Sequence, residues 1–201
     1  MVSFLQCLQL KRIASATAII VSLLASLLLF AAPASAATTP NRASSRPASQ
    51  SRVPMIVRGF DQAVARQHGY HIVMINGVAA SVKDGSVKPV NRLTGDCGAS
   101  WIYLDAAGHL EYYYATGFDS LPLPAVFFGW SVNVYGPGGY NRAWTFGGGI
   151  FSTAWSSGNI YARVNLTGLY TAIVDSSSSW VILIDGTICG SLGPVSQVEV
   201  P

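Results

Sequence analysis

Charge is scarce in this chain. Only 12 Lys and Arg and 9 Asp and Glu occur among 201 residues. So few carboxylates do not make the multi-oxygen cage that calcium needs. Five of the arginines (Arg42, Arg46, Arg52, Arg58 and Arg66) precede the predicted strands, which leaves no basic stripe for a nucleic acid. Histidine is as rare, with His68, His71 and His109, and neither these nor the cysteines fall at metal-ligand spacing, so no metal site is expected. The sequence holds no Gly-x-Ser-x-Gly elbow, no His-Glu-x-x-His, no phosphate loop and no Gly-x-Gly-x-x-Gly before a helix. Serine-triad hydrolysis, zinc proteolysis and nucleotide chemistry lose their usual signatures, and no cofactor is expected. A repeat of 20 to 50 residues is also missing, which excludes propellers and solenoids.

Long apolar runs are missing too, with one exception at the start. Lys11 and Arg12 precede an uncharged stretch over residues 13–30, which ends in Pro33, Ala34, Ser35 and Ala36. A basic segment, an apolar segment and a small-residue ending make a secretory signal peptide, with cleavage after Ala36. An uncleaved membrane anchor is the alternative, since 18 apolar residues as a helix come within reach of a bilayer. Pro33 and the small residues Ala34 and Ala36 favour cleavage. Loss of Lys11 and Arg12 lowers the formal charge from +3 to +1. It also removes Cys7 and leaves Cys97 and Cys189. An even pair in an exported chain predicts one disulfide, which closes a loop worth roughly 4 to 5 kcal/mol of chain entropy.

Residues 37–54 are rich in Ser, Thr, Pro and Arg, with almost nothing to bury, and read as a flexible leader. Residues 55–201 read as one β-rich domain. It opens with a short helix, started at Asp61 and stopped at Gly69. Asn76 and Gly77 mark a tight hairpin turn between two strands. Residues 126–135 alternate, with Val126, Phe128, Trp130, Val132 and Val134 on the core side. The three glycines at 147–149 read as a break between strands, and Leu121 to Pro124 as a crossing between sheets. Eight to ten short strands with glycine-rich turns predict an all-β fold, an antiparallel β-sandwich or flattened barrel. The cysteine and tryptophan spacing does not suit an immunoglobulin domain.

The stretch from Cys97 to Ala115 organises the rest. Two alternating arms flank Ala106, Ala107 and Gly108, which predicts a hairpin with Asp105 opposite His109, Tyr103 opposite Glu111 and Trp101 opposite Tyr113. Ile102, Leu104, Leu110, Tyr112 and Tyr114 share the core face. The opposite face carries Trp101, Tyr103 and Tyr113, an aromatic platform suited to a sugar or a protein partner outside the cell. Tyr140, Trp144 and Trp155 are candidates to extend it. A catalytic alternative uses Asp105 and Glu111, with His109 beside them. A diagonal carboxylate spacing of about 7 to 8 Å would suit an inverting glycosidase. A third class, a secreted inhibitor or toxin, would carry its determinants on loops 121–124 and 136–140.

Overall fold

The computed structural model describes residues 50–93 and 96–201. The expected signal peptide, and the leader up to residue 49, lie outside the described residues. Fourteen strands follow in order: β1 Ser51–Phe60, β2 Tyr70–Ile75, β3 Val78–Lys83, β4 Pro89–Arg92, β5 Asp96–Gly108, β6 Glu111–Asp119 and β7 Ala125–Gly136. The rest are β8 Tyr140–Ser152, β9 Trp155–Ser156, β10 Ile160–Arg163, β11 Gly168–Val174, β12 Trp180–Leu183, β13 Thr187–Ser191 and β14 Val195–Val200. One helix, α1 Gln62–Gln67, joins β1 to β2. The all-β, antiparallel, sandwich-like architecture is as the sequence predicts, with more strands than expected.

The larger sheet has eleven strands, ordered β10-β6-β5-β1-β13-β12-β7-β11-β14, with β8 on β7 and β9 on β6. It closes over itself at β7. That strand gives one edge to β8 along nearly its whole length and shares the other between β12 and β11. The junction at Ser131 is sealed by Ser179 and Asp175: Ser131 N–H donates to Ser179 Oγ (3.1 Å), and Asp175 N–H donates to the Ser131 carbonyl (2.9 Å). Two layers result, and their facing aromatics fill the space between them. Tyr112 lies 5.5 Å from Tyr170 and Tyr114 lies 5.1 Å from Trp144, measured between ring centroids. Trp130, Tyr112, Tyr114, Tyr170 and Phe118 are its largest fully buried side chains. The buried set Val126, Phe128, Trp130, Val132 and Val134 is the one that alternation picks out.

Cys97 and Cys189 form a disulfide between β5 and β13, the two strands that flank β1. Strands two ladder steps apart in a flat sheet sit roughly 10 Å apart, yet these Cα atoms are 5.6 Å apart. The sheet is therefore folded sharply across β1, which carries a register shift on each edge, at Pro54/Ile56 and at Val57/Gly59. β1 begins at Ser51, inside the stretch expected as leader, because Met55 and Val57 supply buried side chains and Arg52 reaches Asp119.

A three-stranded sheet, β2-β3-β4, and α1 pack at one side. Asp61 caps α1 by accepting from Ala63 N–H (2.8 Å) and Val64 N–H (3.0 Å), as its place before the helix predicts. Asn76 and Gly77 both take positive φ, as the hairpin turn between β2 and β3 requires.

Two local expectations are corrected. The glycines at 147–149 do not break the chain, for β8 runs through them in register with β7. A Cβ at Gly147 would stand 2.9 Å from the Phe128 carbonyl, so glycine is what lets this strand come close. The hairpin register also differs. Asp105 faces Tyr113, not His109; Tyr103 faces Ala115, not Glu111; and Trp101 faces Gly117, not Tyr113. The turn is only His109 and Leu110, with Leu110 at positive φ and a bulge between Ala106 and Gly108. The slip amounts to four residues, an even number, so every side chain stays on its predicted face.

Candidate functional site

The outward face of β10, β6, β5 and β1 holds the residues singled out above. Ile102, Leu104, Tyr112 and Tyr114 turn into the core, which leaves Trp101, Tyr103, Asp105 and Tyr113 half-buried on the other side. Tyr103 and Tyr113 are diagonal neighbours, with ring centroids 5.6 Å apart and hydroxyls 3.0 Å apart. Both hydroxyls donate to Asp105 Oδ2, at 3.0 and 3.4 Å, while Asp105 Oδ1 accepts from Ala106 N–H at 2.8 Å. The hydrogen bond to Tyr113, then burial, then Asp105 push the Tyr103 phenol well above its ordinary range.

Tyr161 extends the row from β10. It stacks on Tyr113 at 5.4 Å and is 60% exposed. In this ladder the inner rings spend their faces on one another. The tyrosines therefore form a ridge and not the flat platform that composition predicts. The free aromatic face is that of Trp101.

Trp101 lies over Gly117, its partner on β6. A Cβ there would sit 2.9 Å from Trp101 Cζ2, so no other residue type leaves room for the ring. Thr116 fixes the strand beneath: its hydroxyl donates to the Trp101 carbonyl (2.9 Å) and accepts from Trp130 Nε1 (3.0 Å). Trp101 also lines an open cleft of about 430 Å³, with Gln50, Asp119, Trp155 and Ser156 around it. Arg52, opposite Trp101 on β1, forms an ion pair with Asp119. That guanidinium, aided by the Ser120 hydroxyl, holds the Asp119 carboxyl below the ordinary carboxylate range, and Asp119 in turn raises Arg52. The cleft thus combines an indole face with fixed donors and acceptors.

The other candidates scatter. Glu111 opens β6 and faces Arg163 of β10 in the register. His109 is exposed in the turn. Asp105 and Glu111 share the outward face, but His109 is not beside Asp105. Tyr140 and Trp144 turn inward: Tyr140 exchanges a hydrogen bond with Tyr112 (2.9 Å), and Trp144 packs on Tyr114. Trp155 packs on Phe118, Phe128, Trp130 and Phe146 while lining the cleft. Gly117, Arg52 and Asp119 carry no sequence signal, because their role depends on which strand lies next to which.

Compared with protein-family models, with curated proteins and with solved structures, the chain has no match.

Proposed function

We propose that this is an exported, non-catalytic binding protein that holds a carbohydrate on the outer face of the β5–β6 hairpin. The supporting observation is Trp101, laid over Gly117 beside the Arg52–Asp119 pair in an open cleft. An indole on a rigid strand offers apolar area to the CH face of a sugar ring at little entropic cost. The neighbouring charged pair and Gln50 supply hydrogen bonds that fix orientation, as recognition sites of mixed character require. The disulfide and the signal-peptide pattern fit export, where such a ligand is found.

The test is a pull-down of the full chain on microcrystalline cellulose and on chitin. Truncation of an aromatic anchor costs about 2 kcal/mol or more, so Trp101→Ala should lose binding by about 30-fold. Trp101→Phe, which keeps a ring over Gly117, should retain most of it. Equal retention of the wild type and Trp101→Ala, or no binding by the wild type to either polymer, refutes the reading.

A further inference from the structure

We infer that the protein carries a second saccharide-binding site, centred on Trp180, and grips an insoluble polysaccharide at two points. This rests on the reading of Trp101 above.

The observation is a repeated arrangement on either side of β1. To one side, the outward residues run Arg52 on β1, Trp101 on β5 and Gly117 on β6. To the other, Trp180 on β12 stands between Gly190 on β13 and Gly129 on β7, and Arg58 from β1 lies across Gly190. A Cβ at Gly129 would be 2.9 Å from Trp180 Cε2, and one at Gly190 would overlap the Arg58 side chain. Each flank therefore presents a guanidinium and an indole laid over a strand glycine.

Both guanidiniums are fixed. Arg52 is held by Asp119. Arg58 spends Nη2 on the carbonyls of Ser176 (2.7 Å) and Ser191 (3.1 Å), which leaves Nε and Nη1 to donate elsewhere. Trp180 is not a core residue: it is 36% exposed, while its neighbours Val181 and Leu183 are fully buried on the opposite face. Beyond it the floor is bare, since Gly129 pairs with Gly147 of β8 and Phe127 with Gly149. No carboxylate belongs to this arrangement, and an uncharged pyranose chain matches it, with CH groups for the indole and hydroxyls for the guanidinium. Arg52 and Arg58 are six residues apart on β1, roughly 20 Å along a strand. That spacing allows two contacts with one polymer surface.

The test uses the full chain, soluble cellohexaose and chitohexaose, and the corresponding insoluble polymers. Titration calorimetry should find two hexasaccharide sites in the wild type and one in Trp180→Ala. Retention on the insoluble polymer should fall by about 100-fold in either single Trp→Ala variant, because avidity of that order is lost with one contact. Gly149→Thr supplies a variant that leaves the indole packed, since the nearest atom to a Cβ there is the Val126 carbonyl at 3.9 Å. It should reproduce the Trp180→Ala result, and it decides the matter if Trp180→Ala does not fold. If Gly149→Thr and Trp180→Ala bind like the wild type while Trp101→Ala abolishes all binding, the second site is overturned and the Trp101 site stands. If the wild type binds no polysaccharide, both fall.

Discussion

Asp185 is the most exposed point of the fold to a single substitution, although it is itself wholly buried. It sits in the turn between β12 and β13, where Oδ2 accepts from Ser81 Oγ at 2.5 Å and from Thr187 Oγ1 at 2.9 Å, and Oδ1 accepts from Thr187 N–H at 2.9 Å. Among the described residues it makes no ion pair, so hydrogen bonds alone stabilise the carboxylate. The Ser81 bond also fastens the three-stranded sheet to the main body, and Asp61 N–H clamps the same turn through the Gly186 carbonyl at 2.7 Å. Asp185→Ala would orphan three buried donors at once. Hydrogen bonds to a charged group contribute about 1.5 to 3 kcal/mol each, and relief of the buried charge offsets part of the total, so a loss of about 4 kcal/mol is expected. Asp185→Asn keeps an acceptor for Thr187 N–H and leaves the two hydroxyls free to turn and accept, so it should cost only about 1 kcal/mol. Urea unfolding with the disulfide intact measures both, and a double-mutant cycle with Ser81→Ala should return a coupling of about 1 to 2 kcal/mol. Hydrogen exchange in Ser81→Ala should quicken in β2 and β3 before the main sheet opens. A loss below about 1 kcal/mol for Asp185→Ala, or equal losses for Ala and Asn, would refute the account.

Two further outcomes follow from named groups. Tyr114 is fully buried and its hydroxyl finds no partner among the described residues; burial pushes the phenol well above its usual range, and Tyr114→Phe should raise stability by about 1 kcal/mol in the same urea assay. Asp119 is held low by Arg52, so its contribution is complete above the ordinary carboxylate pKa of about 4 and is lost as pH falls through its lower folded value. Asp119→Asn should flatten part of the stability decline below about pH 4. The effect stays within about 1 kcal/mol because the pair is partly solvated, and Asp175, held low by the hydroxyls of Ser178 and Ser177, accounts for the slope that persists.

The core face was legible because alternation is local. Ile102, Leu104, Tyr112 and Tyr114 turn inward whichever residues they face across the hairpin, since a slip of four positions preserves every face. The Asn76 and Gly77 turn, the Asp61 cap and the pairing of Cys97 with Cys189 were equally readable, each from the chemistry of one or two residues. Partners were not readable. A two-residue turn at His109 and Leu110 replaced the longer loop, so Asp105 met Tyr113 and the expected carboxylate-histidine pair did not form. The glycines at 117, 129 and 147 look like breaks in the sequence, yet each marks a place where a ring or a backbone comes close. Composition alone determined that aromatic side chains line the outer face. Strand order and register decided which of them face one another and which, at Trp101 and Trp180, lie over glycine, because such contacts are made between strands far apart in the chain.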